Sequence, residues 1–123
     1  MKILVTDDSK MARKMVIKTL TEILQDNVEI YEAQNGQEAL DLYKQISPNI
    51  AFLDLTMPIM DGFEALEKIK EFDTNAKVVI ISADIQKLSM DKALQLGAFN
   101  FVKKPIDTEK MQQILDKINN LDN

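Results

Sequence analysis

The feature that most constrains the fold is an alternation between two hydrophobic periods, repeated five times along the chain. Short segments that are apolar throughout, or that alternate apolar and polar residues, are each followed by a longer segment with apolar residues three or four positions apart. The first kind of segment is typical of β-strands and the second of amphipathic helices. Strands that alternate with helices in this way predict a parallel sheet with helices on both faces.

The predicted strands and helices share one simple order, strand then helix, from the first residues to the last. The predicted strands are residues 2–6, 28–32, 50–53, 78–81 and 99–102. The predicted helices are residues 9–24, a segment from Gly36 to the Ser47-Pro48 pair, a segment marked by Phe63, Leu66 and Ile69, residues 85–96 up to Gly97, and a last helix capped by Asp107 or Thr108 with an apolar stripe that ends at Leu121.

The strand compositions predict the order of the strands in the sheet. The first, third and fourth strands are apolar throughout, which is typical of strands buried on both faces. The second and fifth strands alternate apolar and polar residues, as edge strands can. Of the doubly wound orders, 2-1-3-4-5 places those two strands at the edges. We therefore expect a flavodoxin-like (βα)5 fold with a doubly wound parallel sheet.

Length and composition indicate one folded domain that covers residues 1–123. A chain of 123 residues with 46% apolar and 28% charged residues is ordinary for a folded domain. No apolar run approaches the roughly 20 residues that a membrane span requires, and the N-terminus reaches Asp7 too soon for a signal peptide. We therefore expect a cytoplasmic protein with no membrane contact. The chain ends soon after the fifth helix, so we expect no output domain.

The residue types that are missing exclude several function classes. The chain has no cysteine and no histidine, which excludes disulfides, zinc sites of the Cys/His kind and Ser-His-Asp catalysis. Any metal must be a hard cation held by oxygen atoms. The net charge of −5 argues against a nucleic-acid interface.

Polar side chains gather at the carboxyl ends of the predicted strands. In an open α/β sheet, ligands bind beyond these ends, near the point where the strand order reverses. The residues there are Asp7 and Asp8 after the first strand, Asp54 after the third, Ser82 after the fourth and Lys104 after the fifth. The second strand ends in Glu32-Ala33 at the sheet edge and would lie outside the cluster.

Each of these residues has a simpler explanation when it is taken alone. Asp7 or Asp8 could cap the first helix, and Ser82 could cap the fourth. Lys104 could be a solvated surface charge. Asp54 is harder to explain, because an acid directly after four apolar residues of a central strand is desolvated. Carboxylates that lie close together repel one another, so the set as a whole predicts a bound cation, and Mg²⁺ suits such a site.

These residues are sufficient for phosphoryl transfer. A carboxylate at a strand end, here Asp54, can attack phosphorus as a nucleophile and form an acyl phosphate. The reaction depends on positioning and on neutralised charge at the phosphoryl oxygens. Mg²⁺ and Lys104 can neutralise that charge, and Ser82 can donate a hydrogen bond to one oxygen.

The same residues resemble the motifs of a known family, the CheY-like receiver domains of response regulators. The motifs are Asp7-Asp8 after the first strand, the segment 54–62 (Asp-Leu-Thr-Met-Pro-Ile-Met-Asp-Gly) after the third, Ser82-Ala83 after the fourth and Lys104-Pro105 after the fifth. The resemblance covers essentially the whole chain. Four motifs in order, each at its own strand end, form a highly specific signal.

The resemblance implies a role for each residue of the site. Asp54 is the implied phosphoacceptor, and Asp8 and Asp54 are implied ligands of one Mg²⁺ ion. Asp7 would act on the metal directly or through water, and the backbone carbonyl of Thr56 would be a further ligand. Lys104 would contact the phosphoryl group, and its bond to Pro105 resembles the family's cis peptide.

Further residues correspond to switch and tuning positions of the family. Ser82 would move toward the phosphoryl oxygen, and Phe101 would then turn inward, although Phe101 could equally be a plain core aromatic. Many relatives have Tyr at that position, so an output that depends on the hydroxyl is not expected here. Thr56 and Asp84 match two variable positions that tune self-dephosphorylation in the family.

The resemblance also implies partners and leaves their identity open. A sensor histidine kinase would supply the phosphoryl group, and another protein would read the face formed by the fourth helix, fifth strand and fifth helix, roughly residues 84–121. The first interpretation is a monomeric chemotaxis-type regulator that acts on the flagellar motor switch or an associated phosphatase. A phosphorelay intermediate that passes the group to a phosphotransfer histidine is the second, and a receiver cut from a longer protein is the third. Such a protein catalyses its own phosphotransfer and autodephosphorylation, but it is primarily a switch rather than a turnover enzyme.

Two other classes of protein are alternatives to a phosphorylated receiver domain. A phosphatase of the haloacid dehalogenase type also uses a nucleophilic Asp at a strand end, but after its first strand, and with a second Asp two residues later, where this chain has Thr56. A pseudo-receiver is a binding module that is never phosphorylated. Such modules usually lose one of the five residues that are all present here.

Overall fold

The computed structural model describes residues 1–121, with Leu121 described by its backbone only, so the last member of the predicted apolar stripe lies outside the described side chains. The strands are β1 (Lys2–Thr6), β2 (Glu29–Ala33), β3 (Ile50–Leu53), β4 (Val78–Ser82) and β5 (Asn100–Lys103). The helices are α1 (Lys10–Leu24), α2 (Gly36–Ile46), α3 (Gly62–Phe72), α4 (Lys87–Gln95) and α5 (Thr108–Leu121). Over the described part of the chain, no helix is both long and apolar enough to cross a membrane.

The five strands form one parallel sheet in the order β2-β1-β3-β4-β5, which confirms the predicted flavodoxin-like arrangement. The two strands with alternating polar residues, β2 and β5, are the edges, as their composition predicts. Strands β1, β3 and β4 lie between other strands, and residues 50–53 and 78–82 are buried throughout. Buried strands of this kind need helices on both faces of the sheet.

Successive residues of each strand face opposite sides of the sheet, and this alternation divides the core in two. Ile3, Val5 and Phe52 pack on one side, with buried residues of α1 and α5. On the other side, Leu4 and Leu53 pack with buried residues of α2, α3 and α4. A fully buried Leu, Ile or Phe side chain contributes roughly 1.5–3 kcal/mol to the free energy of unfolding. The two halves of the core therefore fix the sheet between its helices. They also fix the carboxyl ends of the strands, which lie together along one end of the sheet.

Side-chain caps mark the starts of four helices. Ser9 accepts a hydrogen bond from the amide of Ala12 at the start of α1, and the carboxylate of Asp107 accepts one from the amide of Lys110 at the start of α5. Asn35 and Asp61 cap α2 and α3 in the same way. Helix α4 begins at Lys87 without a side-chain cap, two residues later than predicted.

Candidate functional site

The register of the sheet brings three aspartates together. Thr6 of β1 pairs with Leu53 of β3, so Asp7 and Asp54, which directly follow them, lie side by side at the carboxyl end of the sheet. One carboxylate oxygen from each of Asp7, Asp8 and Asp54 lies within 4.8 Å of the others. Asp7 and Asp54 are buried and Asp8 is exposed. The cluster predicted from the strand ends is therefore present, as a partly buried group of three acids.

Asp54 lies in an environment that disfavours its charged form. Its amide donates to the carbonyl oxygen of Thr6 at 3.1 Å, which ties the residue to β1. Burial and the negative charge of Asp7 raise the pKa of the Asp54 carboxyl above its ordinary value, and Lys104 partly opposes that rise. The ionised carboxylate is thus held in a place that disfavours its charge, a condition that an added cation would relieve.

Asp7 has all of its polar groups engaged. Its Oδ1 accepts from the amide of Ser9 at 2.9 Å and its Oδ2 from the ammonium of Lys104 at 2.6 Å. Its amide donates to the carbonyl oxygen of Ala33 at 3.2 Å, and its own carbonyl oxygen accepts from Arg13 at 2.7 Å. Ser9, not Asp7 or Asp8, caps α1, so the capping explanation for the acidic pair was wrong.

Lys104 is the basic residue whose side chain contacts the carboxylates of this cluster. Its Nζ lies 2.6 Å from Oδ2 of Asp7 and 3.3 Å from Oδ1 of Asp54. Burial lowers the pKa of Lys104, but the hydrogen bond to Asp7 and the charges of Asp54 and Asp7 raise it by more, so its pKa lies above the ordinary value. One ammonium offsets only one of three carboxylates. The site therefore retains the negative charge and the oxygen atoms that a divalent hard cation prefers.

Ser82 is buried at the end of β4 and is tied to the loop that leads to α4. Its hydroxyl oxygen accepts from the amide of Asp84 at 3.0 Å. The Asp84 carboxylate accepts in turn from the amide of Gln86 at 3.0 Å and from the hydroxyl of Ser89 at 2.9 Å. These bonds hold residues 84–86 outside the helix, which explains its late start. Ser82 does not cap α4.

The loop between β3 and α3 closes against Asp54 because two glycines allow a close approach. A Cβ atom on Gly62 would lie 2.2 Å from the carbonyl oxygen of Asp54, and one on Gly36 would lie 2.4 Å from that of Met60. Their amides also fix the loop: Gly62 donates to the carbonyl oxygen of Leu55 and Gly36 to that of Met60, both at 2.9 Å. Thr56 is exposed within this loop, and its part as a ligand stays a prediction.

The remaining predicted residues lie around the fifth strand. Phe101 of β5 is partly buried and packs against the core on the α2, α3 and α4 side of the sheet. The Lys104–Pro105 peptide bond is cis, as the resemblance implies. Movement of Phe101 upon activation stays a prediction.

Two residues of the site were missed by the sequence reasoning. Arg13 of α1 is buried, and it contacts both the carbonyl oxygen of Asp7 and the carboxylate of Glu32 at the end of β2. Glu32 lies outside the acidic cluster, as expected, but it is linked to the cluster through Arg13. The burial of Arg13 could have been predicted from the sequence, because Arg13 lies three positions before Val16 and seven before Leu20, on the core-facing side of the helix.

Comparisons with known proteins show which family this chain is similar to. Residues 3–116 match the family model described as the response regulator receiver domain. The chain is 44% identical over 113 residues to the chemotaxis protein CheY of Treponema pallidum, which covers 89% of this chain and 76% of that protein. It is 36% identical to the chemotaxis protein CheY of Halobacterium salinarum, with 94% of each chain covered.

A solved structure gives the same picture for the fold. The structure described as the CheX-CheY-BeF3-Mg+2 complex from Borrelia burgdorferi contains a chain that is similar to this one with a TM-score of 0.87 and 35% identity. The match covers 96% of this chain and 88% of that chain. The similarity thus extends over the whole sheet and its helices.

Proposed function

The chain belongs to the family of response regulator receiver domains, and on that premise we propose that it is a chemotaxis-type signalling switch that accepts a phosphoryl group on Asp54. The observation that carries the proposal is the meeting of Asp7, Asp8, Asp54 and Lys104 at one edge of the sheet. Membership in the family also sets aside the haloacid dehalogenase alternative.

Asp54 is the proposed acceptor because of its place in the cluster. It emerges from a fully buried strand, its backbone is tied to β1, and the loop between β3 and α3 packs directly against it. These constraints fix the backbone of Asp54 and so limit where its carboxylate can lie, and in-line attack on phosphorus depends on such positioning. Lys104 lies 3.3 Å from Oδ1 of Asp54, where it can neutralise charge on the incoming phosphoryl oxygens.

The donor set of the site fits one Mg²⁺ ion. We assign Asp8 and Asp54 as its carboxylate ligands and the carbonyl oxygen of Thr56 as a third. Both Asp7 oxygens already accept hydrogen bonds, which favours a contact of Asp7 with the metal through water. When bound, Mg²⁺ would neutralise the acidic cluster and the phosphoryl oxygens.

Ser82 is the proposed switch residue. Its hydroxyl holds the Asp84 amide in this structure, and a move toward a phosphoryl group would release that amide. Because Asp84 also accepts hydrogen bonds from Gln86 and Ser89 at the start of α4, the release would reach the helix. Phe101 would then turn inward, and the face of α4, β5 and α5 within residues 84–121 would change its affinity for a partner.

The chemotaxis assignment rests on the curated relatives. Several are chemotaxis proteins named CheY that match over most of the chain, and a solved relative is in complex with CheX. We propose that a histidine kinase phosphorylates this chain and that the flagellar motor switch or a phosphatase reads it. A cytoplasmic location, a monomeric state, the single domain over residues 1–123 and the absence of nucleic-acid binding stay predictions from the sequence and from its resemblance to the family.

The decisive experiment incubates the protein with acetyl phosphate and Mg²⁺ and measures the intact mass. We expect one added phosphoryl group per chain, none with Asp54→Asn, and normal labelling with Asp91→Asn, which makes the same change at an exposed position of α4. Labelling of Asp54→Asn equal to that of the wild type would refute the assignment. Binding of a flagellar switch protein before and after phosphorylation tests the chemotaxis part separately.

A further inference from the structure

Arg13 is a buried cation that the proposed function does not use. It is 7% exposed, and among the buried residues of the described chain it is the only basic one. Burying a guanidinium without partners would be costly, so its contacts determine what it does. One contact is with Asp7 of the acidic cluster, and the other is with Glu32 at the end of the neighbouring strand β2.

The two contacts have complementary geometry. The Nη1 atom of Arg13 donates to the carbonyl oxygen of Asp7 at 2.7 Å, and its Nε donates to Oε1 of Glu32 at 2.9 Å. The planar guanidinium offers donors in fixed directions, so one partner orients it for the other. Glu32 is half-exposed at the end of β2. Its carboxylate can therefore bind the guanidinium from outside the acidic cluster.

The carbonyl group that Arg13 holds belongs to the peptide that joins Asp7 to Asp8. The amide of Asp7 is already fixed to Ala33 of β2. With its carbonyl oxygen held by Arg13 as well, both backbone groups of Asp7 are fixed, and the Arg13 contact acts directly on the peptide that leads to Asp8. Asp8 follows directly and is exposed, so this peptide is its anchor to the site.

We propose that Arg13 is a positioning residue for the metal site: by holding the carbonyl oxygen of Asp7, it places the Asp8 carboxylate at the distance from Asp54 that a shared divalent cation requires. This inference rests on the proposed function of the acidic cluster. Glu32 acts one step further away, by orienting the guanidinium. A positive charge near a cation site would by itself weaken cation binding, so the two effects of Arg13 have opposite signs.

Because positioning and positive charge change the Mg²⁺ affinity in opposite directions, a measurement of that affinity distinguishes them. The Mg²⁺ dissociation constant is measured by titration calorimetry for the wild type, Arg13→Met and Lys14→Met, an exposed residue of the same helix. We expect Arg13→Met to weaken Mg²⁺ binding about tenfold, although it removes a positive charge. We expect Lys14→Met, which removes the same charge, to change the affinity by less than about twofold. Unchanged or tighter binding by folded Arg13→Met would overturn the proposal and leave Arg13 as a plain structural ion pair.

Conservative variants show whether geometry or charge is responsible. Arg13→Lys keeps a donor within reach of the Asp7 carbonyl, so we expect most of the Mg²⁺ affinity to return, to within about threefold of the wild type. Glu32→Gln keeps an acceptor oxygen for Nε and should behave like the wild type. If Arg13→Met does not fold, Arg13→Gln is the substitute, because it is neutral, polar and too short to reach both partners. Affinity of the Gln variant equal to that of the wild type would count against the proposal.

A measurement without metal separates this inference from the proposed function. In the metal-free protein, the amide resonance of Asp8 should shift and broaden in Arg13→Met and stay in place in Lys14→Met. If the wild type does not bind Mg²⁺, the proposed metal site fails, while the Asp8 resonance still reports on the positioning. An Asp8 amide that is identical in the wild type and Arg13→Met would show that Arg13 does not hold this peptide.

Discussion

The ammonium of Lys104 lies 2.6 Å from Oδ2 of Asp7, one of the three acids of the cluster. A second contact of 3.3 Å joins it to Asp54. Without a metal ion, the ammonium of Lys104 offsets part of the repulsion among the three carboxylates. With a metal ion, Lys104 and the ion carry charge of the same sign beside the same acids. Lys104 therefore has two opposing effects on the site.

We expect Lys104→Met to separate these two effects. Binding of Mg²⁺ should become tighter, by roughly three- to tenfold, because a positive charge close to the ion is removed. Phosphorylation by acetyl phosphate should become slower, by at least about tenfold, because the phosphoryl oxygens lose a cation. Calorimetry and intact-mass time courses measure the two quantities. Lys103→Met, at the exposed neighbouring position, should change neither, and weaker Mg²⁺ binding by Lys104→Met would contradict this account.

The raised pKa of Asp54 predicts how the stability of the metal-free protein depends on pH. A carboxyl whose pKa is higher in the folded state adds stability below its unfolded pKa of about 3.9 and loses it as the pH rises through the folded value. At neutral pH, Asp54→Asn should thus raise the free energy of unfolding, by about 1 kcal/mol, and this gain should shrink as the pH falls toward 4. Urea unfolding in EDTA at several pH values measures it. A gain that grows toward acid pH would show that Lys104 outweighs burial.

The strand order and the acidic cluster were both predictable from local sequence. The strand order follows from the two-residue alternation of apolar and polar residues, and the cluster follows from the residues at the carboxyl ends of the strands. Alternating polar residues mark β2 and β5 as edges, and the order 2-1-3-4-5 then follows. Parallel strands bring their carboxyl ends to one edge of the sheet, so Asp7 and Asp54 had to meet wherever Thr6 pairs with Leu53. These inferences use only local sequence and one rule of topology.

What could not be predicted depends on contacts between distant segments. The pairing of Arg13 with Glu32 requires α1 to pack beside the end of β2, and no local pattern gives that distance. The start of α4 is another case. The Asp84 side chain accepts hydrogen bonds from the amide of Gln86 and the hydroxyl of Ser89, so the helix begins later than its apolar spacing suggests. The choice of Ser9 as the cap of α1 is a third case: the Asp7 side chain instead accepts hydrogen bonds from the Ser9 amide and from Lys104.

Gly62 is expected to be essential for the position of Asp54. In Gly62→Ala, the new Cβ would meet the carbonyl oxygen of Asp54 at 2.2 Å, and the loop would have to move away from the site. We expect a loss of about 2–3 kcal/mol in the free energy of unfolding, together with weaker Mg²⁺ binding. Gly97→Ala is the matched control. Its φ of 101° is also unfavourable for alanine, but the atoms it meets belong to the side chain of Lys70. It should lose stability and keep its Mg²⁺ affinity.

Ile59 is strained, and relieving the strain should stabilise the protein. It is a β-branched residue with φ of 68°, at the centre of a turn in which the amide of Met60 bonds the carbonyl oxygen of Pro58 at 2.7 Å. The residue is 80% exposed, so little packing is lost when its side chain is truncated. Ile59→Gly should remove strain of about 1–2 kcal/mol against a smaller entropic loss, for a net gain of roughly 0.5–1 kcal/mol in urea unfolding. Ile59→Val, which is branched in the same way, should bring no gain. A glycine variant less stable than the valine variant would show that the exposed isoleucine makes contacts that stabilise this turn.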